Sequence, residues 1–137
     1  LSNSAPAVRR LGVSRIQQEK DMAKYMFLQY VDESHGPRPG TPELEAVIQA
    51  FADYLDEVKA AGAFVDGDPF EPSATTFSVT GHDGQVKTTD GPMYDRSPWL
   101  NGYFVLDCKD RAEAELWAAK NPAARAGTVE VHPVLKL

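Results

Sequence analysis

The chain has 137 residues, about one domain, and its 42 % hydrophobic and 25 % charged residues are ordinary for a globular protein. A net charge of -6, with no Lys/Arg cluster beyond the first residues, argues against nucleic acid or an anionic membrane as partner. No apolar run approaches the ~20 residues of a membrane span, and a single cysteine, Cys108, forbids an internal disulfide. The expected location is therefore the cytoplasm.

In chain order, residues 1–21 are polar and unpatterned and read as a tail or upstream extension, or as a short helix over Val8 to Lys20 that docks on the domain. Residues 22–137 form the domain proper. Lys24 to Val31 alternates with apolar residues on both faces, which predicts a strand covered on both sides. His35 to Pro39 is a Gly/Pro-rich loop. Thr41, Pro42 and Glu43 then open a helix of about 20 residues. Its stripe is Leu44, Val47, Ile48, Phe51, Leu55 and Val58, and Gly62 sits where a left-handed terminator belongs.

A short extended piece follows at Ala63 to Val65, then a turn-rich loop through Asp66, Gly67, Asp68 and Pro69. Thr75 to Thr80 and Gln85 to Thr89 are strands joined by the hairpin signal Asp83-Gly84. An irregular loop runs from Asp90 to about Asn101, and Gly102 to Asp107 is again apolar on both faces. Asp110 and Glu113 form a capping box opening a second helix, with Ala112, Leu116 and Ala119 as its stripe, Trp117 alongside, and Asn121-Pro122 as its stop. Thr128 to Val134 is the last strand, with Val129 and Val131 on one side and Glu130 and His132 on the other.

This order predicts an α+β fold, a ferredoxin-like split βαβ with an antiparallel sheet and both helices on one face. The other face would then carry apolar side chains from central strands, an area larger than a monomer usually exposes. A second copy packed sheet to sheet is the simplest cover, so a homodimer is expected.

Several residues invite both a chemical and a structural reading. Asp90 is either an anchoring or catalytic carboxylate or a turn residue before Gly91-Pro92. Asp95 either pairs with Arg96 in solvent or faces a pocket. His132 and Glu130, on one side of a strand, form an acid/base pair near neutral pH or a bond across the dimer interface. Tyr30, Tyr103 and Trp99 line an apolar ligand pocket or fill the core. Tyr94 and Trp99 make their loop the best position for a lid or a dimer contact. His35, His82 and His132 lack metal-ligand spacing, no cofactor motif is present, and Cys108 reads as a small buried residue.

Three stretches together resemble the YCII-related family, in the branch named after an Asp-Gly-Pro-Phe motif. They are Lys24-Tyr25-Met26 with the apolar run after it, Asp90-Gly91-Pro92-Met93 with Gly102-Tyr103 beyond, and Val129-Glu130-Val131-His132-Pro133-Val134. The resemblance spans about Lys24 to Val134 and implies a ferredoxin-like subunit paired into a dimeric α+β barrel. Shorter members have a proposed His/Asp pair with the His on the first helix. No histidine lies in Pro42 to Ala61, so that pair does not carry over. Ser97 and Pro98 replace the branch's Lys-Glu positions, and His132 stands where Arg is usual.

Two functions follow. One is a binding or regulatory module holding a small organic ligand in a pocket at the sheet and dimer interface. The other is a small-molecule enzyme doing proton transfer with His132, Asp90 and Asp95.

Overall fold

A computed structural model describes residues 22–137; the tail or docked helix expected within 1–21 lies outside the described residues. The four strands β1 (Ala23–Val31), β2 (Phe64–Pro69), β5 (Trp99–Cys108) and β6 (Thr128–Pro133) form one antiparallel sheet in the order β2-β5-β1-β6. The helices α1 (Pro42–Ala60) and α2 (Arg111–Lys120) pack on one face of it. This is the ferredoxin-like α+β arrangement. The strands β3 (Phe77–His82) and β4 (Gln85–Asp90) form a separate two-stranded hairpin inserted between β2 and β5.

The local signals work as the residue types require. Thr41 Oγ1 accepts from Leu44 N at 3.3 Å with Pro42 in the first turn, and Gly62 closes α1 at φ 74°. Asp110 Oδ1 accepts from Glu113 N at 2.9 Å, and the Glu113 carboxylate reaches back to Lys109 N. Asp83 and Gly84 both take positive φ, 51° and 78°, as a tight hairpin turn demands.

The core lies between the helices and the alternate residues Tyr25, Phe27 of β1 and Phe104, Leu106, Cys108 of β5. Tyr54 of α1 is its hub. Its ring meets Phe104 edge-on at 5.2 Å and Trp117 at 6.1 Å, and its hydroxyl donates to Trp117 O at 2.8 Å. Burial holds the Tyr54 phenol protonated well above the usual range. In α1 the C-terminal half packs, through Phe51, Tyr54, Leu55 and Val58, while Val47 and Ile48, expected in the buried stripe, are exposed.

Three expectations need correction. The stripe of α2 is Ala114 and Trp117, not Ala112, Leu116 and Ala119: Trp117 is 2 % exposed and Leu116 54 %. The largest apolar surface decides which side of a short helix turns inward. The segment Asp66 to Pro69 is not a loop but the second half of β2. Gly67 is there because a Cβ would stand 2.8 Å from the Phe104 ring, and Pro69 is tolerated at the end of an edge strand. The loop before β5 is also shorter than expected, since β5 begins at Trp99.

Strand β5 is irregular at one point. Gln29 pairs with Gly102 and Tyr30 with Leu100, so Asn101 is an extra residue with no partner on β1. Gly102 needs its small size, because a Cβ would lie 2.8 Å from Gln29 Nε2 and 3.1 Å from Asp68 O.

Candidate functional site

The sheet face opposite the helices bears Met26, Leu28 and Tyr30 of β1 and Tyr103 and Val105 of β5, all half-buried. No described helix covers it. The central strands are thus apolar on both faces, while the described helices pack on one face only. The register sets out its rows. One runs Asp66, Val105, Met26, His132 and the next Asp68, Tyr103, Leu28, Glu130.

Each row therefore ends in polar groups on both edges. On the β6 edge, His132 Nε2 stands 2.9 Å from Glu130 Oε1, which also lies 3.5 Å from the Tyr30 hydroxyl. Alternation along β6 puts Glu130 and His132 on this face while Val129 and Val131 pack against the core. Partial burial, then the Glu130 charge, raises the Tyr30 pKa and keeps the phenol a donor. A carboxylate touching an imidazole can exchange a proton with it.

On the β2 edge, Tyr103 donates to Asp66 Oδ2 at 2.9 Å with Asp68 Oδ2 at 3.5 Å, and its ring lies 5.8 Å from Phe70. The bond to Asp66 is the main cause that raises the Tyr103 pKa. Asp66 and Asp68 were hidden from sequence reasoning because Asp-Gly-Asp-Pro has the composition of a turn. The two edges are three strand spacings apart, roughly 14 Å, too far for Asp66 and His132 to act on one bond.

The loop residues fall elsewhere. Asp90 ends β4, opposite Phe77 in the hairpin, and no hydrogen bond joins it to His132 among the described residues. Gly91 adopts φ 97°, and its N–H donates to Thr76 O at 2.6 Å, so the Asp90-Gly91-Pro92 turn anchors the hairpin base. Asp95 accepts from Trp99 Nε1 at 3.0 Å instead of pairing with Arg96, whose guanidinium stacks on Tyr94 at 5.5 Å. Tyr94 is exposed.

A cavity of about 230 Å³ lies on the other face, between α1 and the β2–β5 end of the sheet. Tyr103 lines it; Tyr30 and Trp99 do not. No group of three or more His, Cys, Asp or Glu that could hold a metal occurs among the described residues. No described helix is long and apolar enough to cross a membrane.

A family profile described as YCII-related domain matches residues 23–137. A search of curated proteins returned no match.

Proposed function

Because the chain belongs to the YCII-related family, we propose that it is a small-molecule-binding or regulatory module whose ligand site is its open sheet face, closed by a second copy of the chain. The observation that carries this reading is the half-buried apolar centre of Met26, Leu28 and Val105 between two polar edges. Such a face loses free energy by being covered, at roughly 25 cal/mol per Å² of apolar area. The hydroxyls and carboxylates at its edges supply the few polar anchors a ligand site needs. Asp90-Gly91-Pro92-Met93 supports placing it in the Asp-Gly-Pro-Phe branch, and the buried lone thiol of Cys108 fits a cytoplasmic protein.

The ligand we envisage is a small organic molecule with an apolar body and donors for Glu130 or Asp66. The test is a thermal-shift screen on the full chain, with hits mapped by amide shifts. A hit that moves Met26, Leu28 and His132 supports the reading, since a bound ligand raises stability by mass action. Hits confined to other surfaces would refute it.

A second reading is favoured by one contact, the His132–Glu130 pair at 2.9 Å. In an acid/base enzyme His132 would take the substrate proton while Glu130 orients the ring and balances its charge. Asp90 and Asp95 have no geometric claim on that step, being bound into the hairpin base and to Trp99.

A further inference from the structure

The two edges of the sheet are not alike. Strand β2 closes one side with several of the devices that keep an edge from recruiting another strand. Its register shifts between Phe64 and Asp66, Pro69 has no N–H to offer, and Asp66 and Asp68 bring charge. Strand β6 closes the other side as Thr-Val-Glu-Val-His-Pro, with no register shift against β1, no lysine, and proline only as its last residue. No described strand pairs with its outer side.

One hydrogen bond fixes what that outer side presents. Val134 N donates to Lys24 O at 2.9 Å, so these two residues form a bonded pair. Bonded pairs alternate with non-bonded ones along an antiparallel ladder. The register continues as Tyr25 with Pro133, Met26 with His132, Phe27 with Val131 and Leu28 with Glu130. The amides of His132 and Glu130 therefore turn toward β1, and those of Val131 and Val129 turn outward. Pro133 also faces outward, where its missing N–H breaks nothing within the sheet.

A row of this kind is complementary to itself. Let a second copy lie antiparallel along it, with Val131 at the two-fold axis. Val131 then exchanges both backbone bonds with Val131 of the partner subunit. The N–H of Val129 meets the carbonyl of Pro133 of the partner subunit, so the proline is asked only to accept. Glu130 stands opposite His132 of the partner subunit as a non-bonded pair, about 4.5 Å apart at Cα. Moving the axis to Glu130 would serve the backbone equally well, but it would set two carboxylates face to face. Charge selects the first register.

We infer that the outer edge of β6 is a docking strand for the same strand of a second copy, in that antiparallel register. The axis stands normal to the sheet, so the pairing leaves the open face as it was and does not depend on what covers it. The contact is a strip one strand deep and roughly 20 Å long. That is less than the about 1,200 Å² where stable complexes begin. The pairing is therefore weak and reversible, with a dissociation constant on the order of 1 mM.

The experiment follows the backbone amides of the full chain as its concentration rises from about 20 µM to about 1 mM. The amides of Val129 and Val131 should shift with concentration and exchange about twofold more slowly at the top of the range. Those of Glu130 and His132, already bonded to β1, should exchange as before. In a mixture of labelled and unlabelled chains, the α-proton of Glu130 should contact that of His132 of the partner subunit. Glu130→Lys should weaken the association about fivefold, and adding His132→Glu, which reverses the pair, should recover it. Val105→Asp, on the open face two strands away, should change none of this, which separates failure at the edge from failure at the open face. Amides of Val129 and Val131 that ignore concentration, whether open or already protected by another segment of the chain, overturn the inference. So does a contact between Glu130 and Glu130 of the partner subunit, or a doubly substituted chain that stays weak.

Discussion

Asn121 Nδ2 donates to Gln29 Oε1 at 2.9 Å, joining the stop of α2 to the C-terminal part of β1 through two buried side chains. The same Asn121 accepts from Ala123 N at 2.9 Å, so one buried side chain serves two groups that water does not reach. Asn121→Ala leaves the Gln29 oxygen and the Ala123 amide unpaired. The expected loss is about 2–6 kcal/mol, at about 1–3 for each of the two orphaned groups. Urea unfolding measures it, and a loss under about 0.5 kcal/mol would contradict the bond's role.

The facing of α2 gives a paired test. Trp117→Ala should cost about 3–5 kcal/mol, the usual penalty for emptying a buried aromatic site. Leu116→Ala, one residue earlier on the exposed side, should stay within about 0.5 kcal/mol. Equal costs would mean the helix is rotated from the orientation described.

The open face predicts a change of mass. If a second copy covers it, Leu28→Asp should turn a dimer into a monomer in light scattering, by burying a carboxylate without a partner. A wild-type chain that is already monomeric at micromolar concentration defeats the proposed pairing.

Cys108 predicts a pH effect. Burial, then the nearby Glu113, Asp107 and Asp110, pushes its thiol from the ordinary 9.0 up to about 12. The unfolded chain therefore ionises this thiol first, so stability is fully present below pH ~9 and declines as pH rises toward 12. Near pH 8 the native thiol should resist a disulfide reagent until the protein unfolds, and Cys108→Ser should flatten the alkaline decline. Rapid modification of the native protein would show that the thiol is open to solvent.

Much of the fold was legible because the signals were local. Thr41-Pro42, Gly62, Asp83-Gly84 and Asp110 with Glu113 each act within one turn of chain, and each does what its chemistry requires. Two-sided apolar alternation in β1 and β5 was equally readable, and with it the side of β6 that Glu130 and His132 occupy. What was hidden depends on contacts between distant segments. Gly67 is a strand residue only because Phe104 crosses it, and Asp66 becomes part of a site only because Tyr103 lies beside it. Nothing adjacent to Asn101 announces the bulge, which emerges when Gln29 and Tyr30 choose Gly102 and Leu100. Asp90 drew attention through its motif, yet its place is the hairpin base.

That hairpin has a thermodynamic life of its own. Its strands β3 and β4 pair with each other alone among the described residues, and every β4 side chain faces water. A two-stranded ribbon on its own is marginal, so its amides should open at a lower free energy than those of the helix-backed sheet. It can therefore be loosened, lengthened or clipped while the rest stands, and the molecule's outline can change there at least cost to its fold.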